Sequence, residues 1–163
     1  MTISLTTYLL IALLVGFIGC ALHWDLRFAK KKEDTSLTTG NIIEMLKKHN
    51  ITQYEVHGES ILFKTEGYLF VLDYESQPTI KLTSIFTLSD RTDLEAAKNA
   101  ADEFNKDYMD ATVQIWDDRL LYLTCMTFAE NTDVLFDALP LMKQYLDMAR
   151  YNFFLMVRNK DSH

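Results

Sequence analysis

ITQYEVHGESILFKTEGYLFVLDYESQPTIKLTSIFTL, residues 51–88, is the stretch that decides the fold. Apolar and polar residues alternate through it instead of recurring every third or fourth position. Ile51–His57, Ser60–Glu66, Tyr68–Tyr74 and Thr79–Leu88 are β-branched or aromatic runs. Gly58, Gly67 and Ser76-Gln77-Pro78 punctuate them as turns. Within Tyr68–Tyr74, Tyr68, Phe70, Leu72 and Tyr74 alternate with Leu69, Val71 and Asp73. Both faces of that strand are partly apolar, which places it in the middle of a sheet rather than at an edge.

Outward from this block the period changes. Upstream, Ser36–His49 carries Leu37, Ile42, Ile43, Met45 and Leu46 on helical spacing, and Asn50 supplies a stop. Downstream, Thr92-Asp93-Leu94-Glu95 reads as a capping box opening a helix to about Tyr108. Its apolar stripe is Leu94, Ala97, Ala101, Phe104 and Tyr108. Ala111–Trp116 and Arg119–Phe128 form a hairpin joined at Asp117-Asp118. Asn131-Thr132-Asp133 caps a last helix to about Arg158, in which Pro140 either makes a kink or marks the first turn after a break. The order α-β-β-β-β-α-β-β-α predicts an α+β domain, an antiparallel sheet with helices packed on it.

The last helix has more apolar surface than one core stripe needs. Leu135, Leu139, Met142, Leu146, Ala149 and Phe153 form that stripe, and Val134, Leu141, Met148 and Leu155 make a second row every seven residues. A broad sheet satisfies such a helix, and so does a partner chain. Leu141, Met148, Phe154 and Leu155 are accordingly the candidate contacts. Trp116 is either an exposed anchor or a sheet residue covered by a helix.

At the other end, residues 1–24 contain no Asp, Glu, Lys or Arg, so all 16 Lys+Arg and 23 Asp+Glu lie beyond them. LTTYLLIALLVGFIGCALHW, residues 5–24, is long enough as a helix to span about 30 Å of hydrocarbon. Arg27 and Lys30–Lys32 follow it within the charged tether 25–35, an arrangement that keeps the chain beyond in the cytoplasm. The expectation is a single-pass anchor over residues 1–24, the tether, and one domain over 36–163. Ala12, Gly16 and Cys20 form a small-residue stripe suited to membrane-helix packing. An exported lipoprotein anchored through Cys20 is the alternative, because Phe17-Ile18-Gly19-Cys20 partly matches a lipidation signal.

The net charge of −7 speaks against nucleic-acid binding, and two cysteines 105 positions apart make neither a disulfide framework nor a zinc site. Nucleotide-binding glycine loops and the GxSxG elbow are absent. Cys125 reads as a buried structural thiol, and His49 and His57 as solvated side chains. Asp117-Asp118 reads as turn chemistry, and Asp102, Glu103, Asp107 and Asp110 as a solvated helix face. No catalytic residue, cofactor or metal site is expected. A small-ligand sensor or enzyme with a pocket between sheet and helices is the remaining alternative.

Glu59-Ser60-Ile61-Leu62-Phe63, Gly67-Tyr68-Leu69-Phe70, Ile80–Leu88, Phe104-Asn105-Lys106 and the run Val113 to Leu120 occur in an order that resembles the YbjN family, or bacterial sensory transduction regulators. The resemblance runs from Gln53 to about Phe154, with Phe104 where that family has Trp. It implies a fold similar to type III secretion chaperones and a homodimeric, partner-binding domain without catalytic residues.

Overall fold

The computed structural model describes residues 35–116 and 119–160. The expected anchor with Ala12, Gly16 and Cys20, the tether up to Asp34, and the Asp117-Asp118 turn lie outside the described residues. Among the described residues no helix is long and apolar enough to cross a membrane.

Among the described residues, three helices and six strands follow one another in the expected order: α1 Thr39–Lys48, β1 Tyr54–His57, β2 Ser60–Thr65, β3 Tyr68–Asp73, β4 Thr79–Thr87, α2 Leu94–Asp107, β5 Ala111–Ile115, β6 Leu120–Phe128 and α3 Thr132–Lys160. The strands make one sheet in the order β1-β2-β3-β4-β6-β5, antiparallel at every pairing. β3, apolar on both faces, is flanked on either side as its sequence implied. The β2–β3 hairpin closes on Glu66 and Gly67, both with positive φ (54° and 83°), the backbone a two-residue turn of this hand requires.

Two helix starts differ from their sequence expectation. α1 begins at Thr39, because the Thr38 hydroxyl accepts the Asn41 N–H at 3.3 Å. Leu37 sits just outside the cap, buried like Ile42, in the two positions of a hydrophobic staple. The N-cap of α2 is Asp93, not Thr92. The Asp93 carboxylate accepts from Glu95 N–H at 2.9 Å and from Ala96 N–H at 3.4 Å. Thr92 is engaged elsewhere, its carbonyl taking the Arg119 guanidinium at 2.6 Å.

α3 runs unbroken through Pro140, so the reading of a break there is corrected. Proline lacks the N–H that would reach the carbonyl four residues back, Phe136. His49, at the end of α1, supplies the missing donor. Its Nε2 lies 3.1 Å from the Phe136 oxygen, and its ring stacks on the Phe136 ring at 4.1 Å between centroids. His49 is therefore half-buried and structural, a correction of its expected solvation, whereas His57 is exposed beside Glu55 at 3.5 Å.

All three helices lie on one face of the sheet. That face contributes Ile61, Phe63, Phe70, Leu72, Ile80, Leu82, Leu121 and Leu123 to the core, against Ile42, Leu46, Phe104, Leu146 and Phe153 from the helices. The opposite face carries no helix among the described residues. Its central rows, Leu62–Val71–Thr83–Thr124 and Leu69–Ile85–Tyr122, are only half-buried.

Candidate interaction surface

α3 is the element that positions the candidate surface. Its inner side is fixed in the core, and its flanks are pinned to the sheet. Lys143 Nζ meets Glu66 at 2.9 Å on the β2–β3 turn, and the Arg150 guanidinium covers the Tyr68 and Phe86 rings at 4.4 and 5.1 Å. With the inner face and the flanks so held, the outer face has no freedom to rotate inward. Val134, Leu141, Met148 and Leu155 are left facing solvent along it, Leu141 at 67% exposure and Met148 at 56%. Phe154 stands beside them near the C-terminal end, its ring 5.4 Å from that of Phe153.

The structure thus gathers Leu141, Met148, Phe154 and Leu155 on one helix surface but does not bring Trp116 to them. Trp116 lies at the end of β5, 60% exposed, with its ring 5.8 Å from Tyr122 on the face that the helices leave open. Of its two sequence readings, cover by a helix is the one the structure rejects.

Sequence reasoning passed over five further exposed apolar groups: Val56 on β1, Met109 before β5, Met126 and Phe128 on β6, and Tyr151 on α3. The signal for the strand pair was present. In Arg119–Phe128 the even positions Leu120, Tyr122, Met126 and Phe128 share a face opposite the buried Leu121, Leu123 and Cys125.

Met126 and Leu141 form the rims of a shallow groove of about 380 Å³ between β6 and α3, with Ala138, Met142, Tyr145 and Asp110 among its walls. Burial, reinforced by the charge of Asp110, raises the Tyr145 phenol above its ordinary range, so it stays protonated and able to donate. Cys125 adjoins the groove with its thiol 3.8 Å from the Met142 carbonyl, and burial pushes its pKa up to about 12. A thiol so shifted stays protonated at neutral pH.

Asp102, Glu103, Asp107 and Asp110 are all exposed, and Glu103 binds Lys160 at 2.6 Å. That hydrogen bond and the Lys160 charge hold its carboxyl below the ordinary range. Among the described residues no group of three His, Cys, Asp or Glu side chains comes together as a metal site. Chemically, this surface offers apolar contact, one carboxylate and one phenol.

No protein-family model and no curated protein matches the chain. Solved structures similar to it include an uncharacterized protein from Methanothermobacter thermautotrophicus, 11% identical over 76% of this chain and 99% of that one, with a TM-score of 0.50. YbjN from E. coli is 10% identical over 77% of this chain and 93% of its own, at 0.44. A chain of the HopA1–SchA chaperone–effector complex is 6% identical over 67% and 89%, at 0.45. The archaeal protein shares the fold, and at that identity the likeness extends to nothing further.

Proposed function

We propose that the chain is a membrane-anchored protein-binding module with no catalysis of its own. Residues 1–24 hold it in the cytoplasmic membrane, and the α+β domain beyond the tether works in the cytoplasm as a homodimer. The observation that carries the reading is the exposed row Val134, Leu141, Met148 and Leu155 on a helix whose other side is fully used by the core. A seven-residue apolar repeat stays on one side of a helix and is the spacing at which helices that wind around each other meet. The row therefore suits a partner helix better than water. The anchor and its orientation rest on the uncharged run 5–24 and on Arg27 and Lys30–Lys32 after it.

The test places a photo-reactive side chain at Leu141 of the full chain in native membranes. A covalent adduct at twice the chain mass is expected, and its loss in Met148→Asp. Absence of any protein adduct overturns the reading. A reporter fused after His163 checks the orientation, since activity seen only with a reporter that requires export places the domain on the other side.

A further inference from the structure

The sheet has two edges, β1 and β5, and they are protected differently. β1 is four residues long and carries the exposed carboxylate of Glu55, with the His57 ring 3.5 Å from it. Short length and charge are ordinary guards against pairing with another strand. β5 reads Ala-Thr-Val-Gln-Ile: no charge, no proline, and a good strand former at its centre. By sequence it is an open invitation to strand addition.

Its backbone shows what stands in the way. The Trp116 N–H bonds the Leu120 carbonyl across the hairpin, so even-numbered residues of this strand direct their polar groups at β6. Ala111, Val113 and Ile115 direct theirs outward. At the middle of these three, Asn105 from the last turn of α2 closes both groups at once. Its Nδ2 donates to the Val113 carbonyl at 2.8 Å, and its Oδ1 accepts the Val113 N–H at 2.7 Å. A side-chain amide offers the same donor and acceptor as a peptide unit, so Asn105 occupies the place of a neighbouring strand for one residue. Space for a real strand exists beside it. A groove of about 640 Å³ runs between α2 and β5, bounded by Lys98, Ala101, Val113, Ile115 and Trp116.

We infer that Asn105 is an edge guard, and that β5 without it accepts the β5 strand of a second copy. The identical strand is the occupant because it brings the same outward Val113 donor and acceptor, which match their own image in antiparallel pairing about Val113. That register sets Thr112 of one copy opposite Gln114 of the other, and no charge on either strand opposes the approach. This surface is separate from the outer row of α3.

The test uses the full chain in detergent micelles with Cys20→Ser, mixing a Thr112→Cys chain with a Gln114→Cys chain under mild oxidation. With Asn105 in place, no disulfide between the two substituted positions is expected, and hydrogen exchange at the Val113 N–H is slow at every protein concentration. In Asn105→Ala the disulfide forms. Protection of the Val113 N–H falls about tenfold in dilute protein, the scale of one lost backbone partner, and returns as the concentration rises. Should Asn105→Ala lose protection throughout the sheet, Asn105→Leu, which keeps side-chain volume and favours the helix, takes its place with the same expectation. A variant with the rest of the sheet protected, no disulfide and no concentration dependence overturns the inference.

Discussion

Helix α3 turns Leu135, Leu139, Met142, Leu146, Ala149, Phe153 and Val157 into the core and leaves Val134, Leu141, Met148 and Leu155 outside. The two sides have nearly the same composition, so composition does not decide which is buried. Density on the helix surface does. The inner set places two apolar residues in every heptad, stepping by four and three, and so fills a continuous stripe against the sheet. The outer set places one in every heptad, a thinner line among the exposed Asp137, Gln144 and Asp147. One side is met by the sheet that this chain makes, and the other is met by no element among the described residues.

The difference is sharpest where truncation removes the most packing. Phe153 is buried and meets Phe104 edge to face at 6.2 Å between centroids. Phe153→Ala is expected to cost about 3–5 kcal/mol of unfolding free energy, read by urea denaturation of the full chain in detergent. A cost near zero would mean that the inner side is not the core.

Cys125 tests the same buried side by pH. Its folded pKa is raised to about 12 against an ordinary 9.0, so the unfolded thiol ionises first as pH rises. The contribution is intact below pH 9 and declines towards pH 12, by at most about 1.4 kcal/mol per pH unit. Cys125→Ala is expected to flatten that part of the alkaline stability profile. An unchanged slope would place the thiol in contact with water.

Between the two sides sits the His49–Phe136 contact. His49→Ala leaves the Phe136 carbonyl without a donor and is expected to cost about 1–2 kcal/mol. In Pro140→Ala the helix regains its own N–H at that position, and the cost of losing His49 shrinks. A double-mutant cycle is expected to show a coupling of about 1 kcal/mol, and strict additivity would break the link between the two residues. On the sheet beneath α3, Ser84 is buried with its hydroxyl unpartnered. Ser84→Ala is expected to stabilise the domain by about 1 kcal/mol, since only the desolvation of an unpaired group is lost.

How much of this was legible follows the range of the interactions. Element order, the central place of β3 and the two sides of α3 depend on periodicity within ten or twenty residues, and the sequence displays it. The roles of His49, Asn105 and Arg119 depend on partners in other elements. His49 looked solvated because its acceptor is a carbonyl 87 positions away, freed by a proline that on its own suggested only a kink or a break. Thr92 looked like a cap because nothing local announces the Arg119 guanidinium that takes its carbonyl. The candidate surface was half legible. Its residues are exposed as the seven-residue row implied, but Trp116 belongs to the other face of the sheet, since strand parity and not helical spacing decides where it points.

The smallest stability change should come from the outer row, and there it is the most informative. Leu141 is 67% exposed, so Leu141→Ser removes little buried area and should move unfolding by less than about 0.5 kcal/mol. Phe153→Ala, twelve positions away on the same helix, carries the large cost. If the row exists for a partner, Leu141→Ser must lower cross-linking between copies from a photo-reactive side chain at Met148 in the membrane while leaving the urea midpoint where it was. A drop in stability of core size would instead make Leu141 part of the domain's own packing. Unchanged stability together with unchanged cross-linking would leave the seven-residue spacing without a partner helix to explain it.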